Sequence, residues 1–504
     1  MRSCPRGHEP DLTDFTDLDE AFFAAPALAW RDALRKRDFS ASELFDALWG
    51  RVMERNPPLN ALIAWDESFA RRAAEESDRR LARRDGLPLD GLPLSIKDSF
   101  AVTGMPTTCG AEELADFFAE EDALAVARLR AAGAIIFAKS NVPRLTGDFQ
   151  THNVLFDATS NPWDLSRSPG GSSGGAAAAV AAGFCAFELG SDLGGSIRWP
   201  AHSCGVYGLK TSWSQVPMLG HIPPLPSIKL KNPPDMGVAG PMARSARDLE
   251  LALSIIAGPI NAAGPAFLQK PRRRAPKDWR IALWLEPGFA PVDPEVEQGV
   301  LRAADLFREA GARIEPEKPD FSLAEALEIY ALLNFAIGFA GSPPKAREEA
   351  MAQAGDSEWS ALRARAARMD AGAYADLTTR RAAIKRAFAA FFERWDAILC
   401  PPAPCLAIEH DFSPDPFARR LALRGGDLPY HDLLKWACLA ALAHLPAAVA
   451  PMPPGPSGLP RGAQIICPYD EDRSAIALAQ ILEEAGPRFL APPFPFGTGG
   501  ETPA

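Results

Sequence analysis

An α/β fold, with a sheet covered by helices, follows from three features of the sequence. Short apolar runs bounded by Gly and Pro alternate with amphipathic helical segments, the alternation recurs from Ala134 to Glu484, and no long flexible linker interrupts it. A chain of 504 residues, 47% of them hydrophobic and 23% charged, has the composition of an ordinary globular protein and the length for a large buried core.

The N-terminal part, about 15–85, reads as helical. Ser40 with Glu43 makes a capping box ahead of Leu44, Leu48 and Val52 at helical spacing, and the charged segment 67–84 reads as a surface helix. In the second part, about 92–260, residues 122–132 read as an amphipathic helix closed by Gly133, and 134–138 as a strand. The third part, about 278–490, repeats the alternation. Strands are expected at 279–284, 395–399 and 463–467, helices at 296–312 and 473–484, and 322–394 is almost entirely helical. The Pro-rich stretches 401–404, 451–460 and 492–495 are too short to separate domains, so 1–504 reads as one unit.

Charge and cysteine usage exclude several classes. A net charge of −11 argues against a nucleic-acid partner, which needs a positive surface. The one compact basic run, Arg272, Arg273 and Arg274, reads as a solvated linker. The first twenty residues carry no apolar core of an export signal, and the weakly charged stretch 436–460, broken by His444 and prolines, reads as buried core and loop, not as a membrane span. Eight scattered cysteines without a Cys-x-x-Cys pair suggest reduced thiols in a cytoplasm and no metal site. Oligomeric state is open, a homo-oligomer included.

Three segments carry chemistry. Pro169-Gly-Gly-Ser-Ser-Gly-Gly175 is a tight turn, and the alanine-rich run after it is a packed helix whose N-terminus holds the serines. Gly190-Ser-Asp-Leu-Gly-Gly-Ser-Ile-Arg-Trp-Pro200 groups the backbone N–H donors of Leu193, Gly194, Gly195 and Ser196 with no bulky side chain after Leu193, as an oxyanion hole requires. Leu92-Pro-Leu-Ser-Ile-Lys-Asp98 ends an apolar run on Lys97, whose amine becomes a base once burial lowers its pKa. Taken singly, these segments also read as a flexible Gly/Ser loop, an ordinary turn and a surface lysine.

Together the segments resemble the amidase signature family, whose core is a Gly-Gly-Ser-Ser-Gly-Gly loop followed by Asp-x-Gly-Gly-Ser-Ile-Arg-x-Pro. Ser140-Asn-Val-Pro143, Asn161-Pro-Trp163, Gly205 to Lys210, Ala239 to Ser245, Pro446 to Pro451 and Gly458 to Gln464 extend the resemblance over 92–484. The resemblance implies one large fold with a mixed central β-sheet covered on both faces by helices, and hydrolysis of a linear carboxylic amide. It also implies a catalytic Lys97, Ser172 and Ser196, a cis Gly171–Ser172 peptide, supporting roles for Ser173, Asp192 and Arg198, and no cofactor. Lys97 acts neutral in this scheme, so activity should rise from neutral towards alkaline pH. The sequence departs from the family at Arg144, Asp157, Trp199, Ala441 and His444. These positions leave the chemistry in place and the substrate open.

Three rival readings remain. Gly171-Ser-Ser-Gly-Gly175 also fits the nucleophile elbow of α/β-hydrolases with Ser173 as nucleophile, but no buried strand precedes it. The second is the amidase-like subunit of a tRNA-dependent amidotransferase, which typically has Gln at the place of Trp199 and a Lys-Pro-Thr-Tyr-Gly run at Lys210 to Trp213. The third is an inactive scaffold, and a carbamate or ester would suit the same site. Phe149, Trp199, Trp213, Met218 and residues 322–394 are expected to shape the pocket for a small-molecule amide, with an aromatic or medium aliphatic acyl group preferred.

Overall fold

The computed structural model describes residues 19–222, 234–260, 268–339, 344–353, 355, 357–486 and 488–496. The N-terminal helices form as the capping box and charge pattern predict. One runs Ala41–Leu59 with Ser40 and Glu43 bonded reciprocally, and the next runs Glu67–Ala82. The helix expected at 122–132 begins two residues later, Leu124–Ala131, because the Asp122 carboxylate is engaged elsewhere. It accepts from Thr103 N at 2.7 Å and from Arg130 Nε at 2.8 Å.

Among the described residues, eleven strands make one sheet. In chain order they are β1 (Leu62–Trp65), β2 (Pro93–Lys97), β3 (Ile135–Ser140), β4 (Phe187–Asp192), β5 (Tyr207–Lys210), β6 (Val238–Ala243), β7 (Arg280–Leu283), β8 (Arg313–Pro316), β9 (Ala397–Cys400), β10 (Ala447–Met452) and β11 (Arg461–Ile466). Their spatial order is β1-β3-β2-β4-β6-β5-β10-β11-β9-β7-β8. The sheet is mixed. β3, β2 and β4 run parallel, as do β9, β7 and β8, with antiparallel pairings between the two groups. The central strands are buried along their whole length, as expected where helices cover both faces.

The stretch 436–460 is buried core followed by loop, as expected, the core being the end of the helix Leu434–Leu442 and β10. The basic run, in contrast, is not a solvated linker. Arg272 pairs with Glu471 at 2.7 Å, and Arg272, Arg273 and Arg280 all approach the buried Asp396 carboxylate. A buried carboxylate requires such partners, which draws the run onto the sheet edge. The region 322–394 is helical as expected, with helices Leu323–Phe339, Pro344–Ala352, Glu358–Ala367 and Ala371–Arg394. The described cysteines are buried and free, and Cys4 lies outside the described residues. None of the described helices is long and apolar enough to cross a membrane.

Candidate active site

Lys97 is the last residue of β2, and Asp192 is the last residue of β4. The two strands pair in parallel, with Ser95 opposite Glu188 and Ile96 opposite Leu189, so both chains leave the sheet at the same edge. The apolar run before Lys97 makes a strand buried on both faces, and this carries the lysine into the interior with no exposed surface at all. Its Nζ lies 2.8 Å from Ser172 Oγ, 2.8 Å from Ser173 Oγ, 2.9 Å from Ser191 Oγ and 3.4 Å from the Ser191 carbonyl oxygen. All four neighbours are neutral oxygens.

Burial pushes the Lys97 amine down from 10.5 to about 7, against the pull of Asp192 and Glu188. The nearby Cys109 thiol, itself pushed up to about 12 by burial, stays neutral and offers the ammonium no counter-charge. Ser173 Oγ donates to the Ser191 carbonyl at 3.2 Å, which commits its proton. Ser172 Oγ makes no second hydrogen bond among the described residues, leaving its proton available to a neutral amine.

The Gly-Ser loop admits only glycine where its backbone passes close to other segments. A Cβ on Gly171 would lie 2.7 Å from the Asp148 carbonyl oxygen, and the Gly171–Ser172 peptide is cis. The helix Gly174–Ala181 follows with Ser173 at its N-cap. No strand leads directly into the loop, so the nucleophile-elbow context is missing. Ser173 N donates to the Ser196 carbonyl at 3.1 Å, joining this loop to the one that follows β4.

Asp192 organises that second loop. Its carboxylate accepts from Gly195 N (2.9 Å), Ile197 N (3.0 Å) and Arg198 N (3.3 Å), and pairs with Arg198 at 2.9 Å. Burial alone would raise this carboxyl, but the Arg198 guanidinium, Lys210 and the backbone donors hold it well below the usual range. Arg198 is tied in turn to the Ala437 carbonyl and to Gln464 Oε1, both at 2.9 Å. The Gly195 N–H is therefore already occupied, and the four expected oxyanion donors reduce to Leu193, Gly194 and Ser196. None of these three N–H groups has an acceptor among the described residues. Ser196 is half-buried, whereas Lys97, Ser172 and Ser173 are closed to solvent.

The expected pocket residues separate into two groups. Phe149 and Trp199 lie beside the loop after β4: Trp199 Nε1 donates to the Phe149 carbonyl at 2.9 Å, and the Phe149 ring comes within 4.0 Å of a Cβ placed on Gly194. Trp213 and Met218 do not share that wall. Trp213 stacks on His444 with ring centroids 4.7 Å apart, and Met218 is packed in the main hydrophobic core.

The helical region 322–394 reaches this wall through Tyr330, whose hydroxyl donates to the Leu193 carbonyl at 3.1 Å, while Leu434, which also closes on Gly194, was not singled out in the sequence. In a trans peptide the C=O and N–H point in opposite directions, so Tyr330 fixes the direction of the Gly194 N–H. The available clue was a lone tyrosine in an aliphatic helix.

A buried amine with a lowered pKa, hydroxyls within reach of it and unpaired backbone donors beside a solvent-accessible serine define a serine hydrolase of the lysine-dependent type. The chain belongs to the amidase family, whose model, described as Amidase, matches residues 43–475. It is 38% identical over 312 residues to a glutamyl-tRNA(Gln) amidotransferase subunit of Roseiflexus sp. (strain RS-1), spanning 60% of this chain and 62% of that relative. The corresponding amidotransferase subunit from Psychrobacter sp. (strain PRwf-1) is 32% identical over 489 residues, 90% of this chain and 94% of that one. A crystal structure described as an amidase superposes with a TM-score of 0.74 at 28% identity, over 91% of this chain and 99% of that one.

Proposed function

We propose that this amidase-family hydrolase cleaves a linear carboxylic amide through an acyl-enzyme on Ser196. Ser196 Oγ attacks the amide carbonyl carbon while its proton passes to Ser172 and the Ser172 proton passes to neutral Lys97. The N–H groups of Leu193, Gly194 and Ser196 take up the charge on the carbonyl oxygen. Lys97 returns the proton through Ser172 to the departing nitrogen as the C–N bond breaks, and water then hydrolyses the ester to carboxylate and free Ser196. Asp192 and Arg198 hold the loop in shape, and Ser173 holds Lys97. The observation that carries this reading is the surroundings of Lys97, an amine among neutral oxygens with no charged partner among the described residues and a pKa pushed down to about 7 by burial.

Intact-mass analysis after fluorophosphonate treatment tests it. Wild type and Ser173→Ala should gain one adduct and Ser196→Ala none. Labelling that survives loss of Ser196 and vanishes with Ser173 would reverse the assignment.

A second reading makes the chain the amidase-like component of a tRNA-dependent amidotransferase, and the names of its relatives favour it. Trp199 speaks for the free-standing enzyme, since the amidotransferase component typically carries Gln there. Stable co-purification with two partner proteins from the source cell would decide for the amidotransferase. Turnover of simple aryl or alkyl amides by the chain alone would decide for the amidase.

A further inference from the structure

A cavity of about 830 Å³ opens beside the sheet where β7 and β9 begin, and none of Lys97, Ser172 and Ser196 lines it. Its walls include Trp213, Phe388 and Tyr469 together with Arg273, Arg280 and Lys385. Aromatic walls with a few convergent polar groups are the usual make-up of a small-molecule site, and the volume suits one.

The cations are held in place and only partly used. Asp396, wholly buried, accepts from Arg273 Nη2 at 3.1 Å and Arg280 Nη2 at 3.1 Å, which leaves Nη1 of each guanidinium without a partner among the described residues. Arg272 is saturated by Glu471, Asp396 and the Phe392 carbonyl. Lys385 Nζ lies 2.9 Å from His444 Nδ1, and His444 Nε2 lies 2.8 Å from Asp235 Oδ1. Burial keeps His444 neutral with its pKa pushed down to about 4, so Nε2–H donates to Asp235 and Nδ1 accepts from Lys385. The other Lys385 hydrogens find no protein acceptor among the described residues. Asp235 is balanced by Arg381 at 2.6 Å. The remaining Arg272, Arg273, Arg280 and Lys385 face Asp396, Glu471 and Glu393, an excess of one positive charge.

We propose that this cavity is a second ligand site, separate from the serine loops, that takes a small monocarboxylate bearing an aromatic ring. The single surplus charge fits a monoanion, not a phosphate dianion. The free guanidinium N–H groups suit a planar carboxylate, and Trp213 and Phe388 supply contact area for the ring. Lys385, oriented by His444, is the principal anchor.

The test is calorimetric titration of benzoate, with neutral benzamide as control, into wild type, Lys385→Met, Lys385→Arg and Ser196→Ala. Wild type, Lys385→Arg and Ser196→Ala should bind benzoate alike, Lys385→Met should bind it at least about tenfold more weakly, and benzamide should not distinguish Lys385→Met from wild type. Arg273→Gln, which leaves Asp396 with Arg272 and Arg280, serves if Lys385→Met does not fold, and should show the same loss. The proposal is overturned if Lys385→Met binds benzoate as wild type does, if Ser196→Ala abolishes binding, or if wild type takes up no benzoate at millimolar concentration.

Discussion

Replacing Lys97 by methionine should change how stability depends on pH, as well as removing the proposed base. Burial lowers the Lys97 amine from 10.5 to about 7, so between those two values the unfolded chain holds a proton that the folded protein has released. Stability must rise with pH across that window, and the cost of charging the buried amine is fully present below it. A displacement of this size corresponds to about 5 kcal/mol, of which roughly 3–4 kcal/mol is recovered between about pH 7 and about pH 10. The methionine variant lacks this titration. It also leaves the hydroxyls of Ser172, Ser173 and Ser191 short of a partner, a penalty of about 1–3 kcal/mol each that does not depend on pH.

The sign of the difference at one pH is therefore not diagnostic, but its slope is. Guanidinium denaturation midpoints of both proteins, measured from neutral to alkaline pH, should show the wild type gaining on the variant by that amount. The wild-type kcat/KM should rise through the same range with a midpoint of about 7, because only the neutral amine accepts the proton. Parallel stability curves for the two proteins, or a rate falling as pH increases through 7, would mean that Lys97 is charged in the working enzyme, and the proton relay would have to be abandoned.

Other perturbations separate the remaining roles. Tyr330→Phe releases the Leu193 carbonyl and with it the direction of the Gly194 N–H, so kcat should fall about 10- to 100-fold with KM little changed in steady-state kinetics; a shift in KM alone would assign Tyr330 to binding. Asp192→Asn leaves Arg198 buried without its counter-charge and should lower the unfolding free energy by about 3–5 kcal/mol, read from denaturant midpoints. Phe149→Ala should alter the kcat/KM ratio between short and bulky acyl amides by about tenfold. Met218→Ala should cost about 2–4 kcal/mol of stability and leave that ratio unchanged.

The parts of the fold legible in the sequence were those where local pattern and tertiary role agree. Strands β3, β7, β9 and β11 were visible because each is an apolar run with turn residues at its ends, and the helix from Ala41 was visible through its capping box. Strand β10 was obscured because Pro451 lies within it, as Pro241 lies within β6, and a residue without an N–H argues against a strand wherever propensity is read alone. The ion pairs around Asp396 were out of reach for a different reason. Asp396 and Arg272 to Arg280 are distant in sequence, and nothing in a short basic run tells that a buried carboxylate waits for it.

The site divides along the same line. Its chemistry lies in three short segments, each carrying a constraint that only particular residues meet: a glycine where the backbone passes against Asp148, an acid that binds several N–H groups of the loop after it, and a lysine at the end of a fully buried strand. Such constraints leave a local trace, and parallel pairing of β2 with β4 then brings the segments to one sheet edge whatever lies between them. Part of the wall comes from elsewhere, with Tyr330 and Leu434 contributed by helices far down the chain. Trp213 and Met218 were expected in that wall as large apolar side chains, but apolar character alone does not separate a pocket wall from packed core, and Trp213 stacks on His444 while Met218 sits in the main core. An enzyme assembled in this way can keep its proton relay while exchanging the helices that face it. The residues that set substrate preference should therefore be sought in those helices, with Leu434 the first to vary.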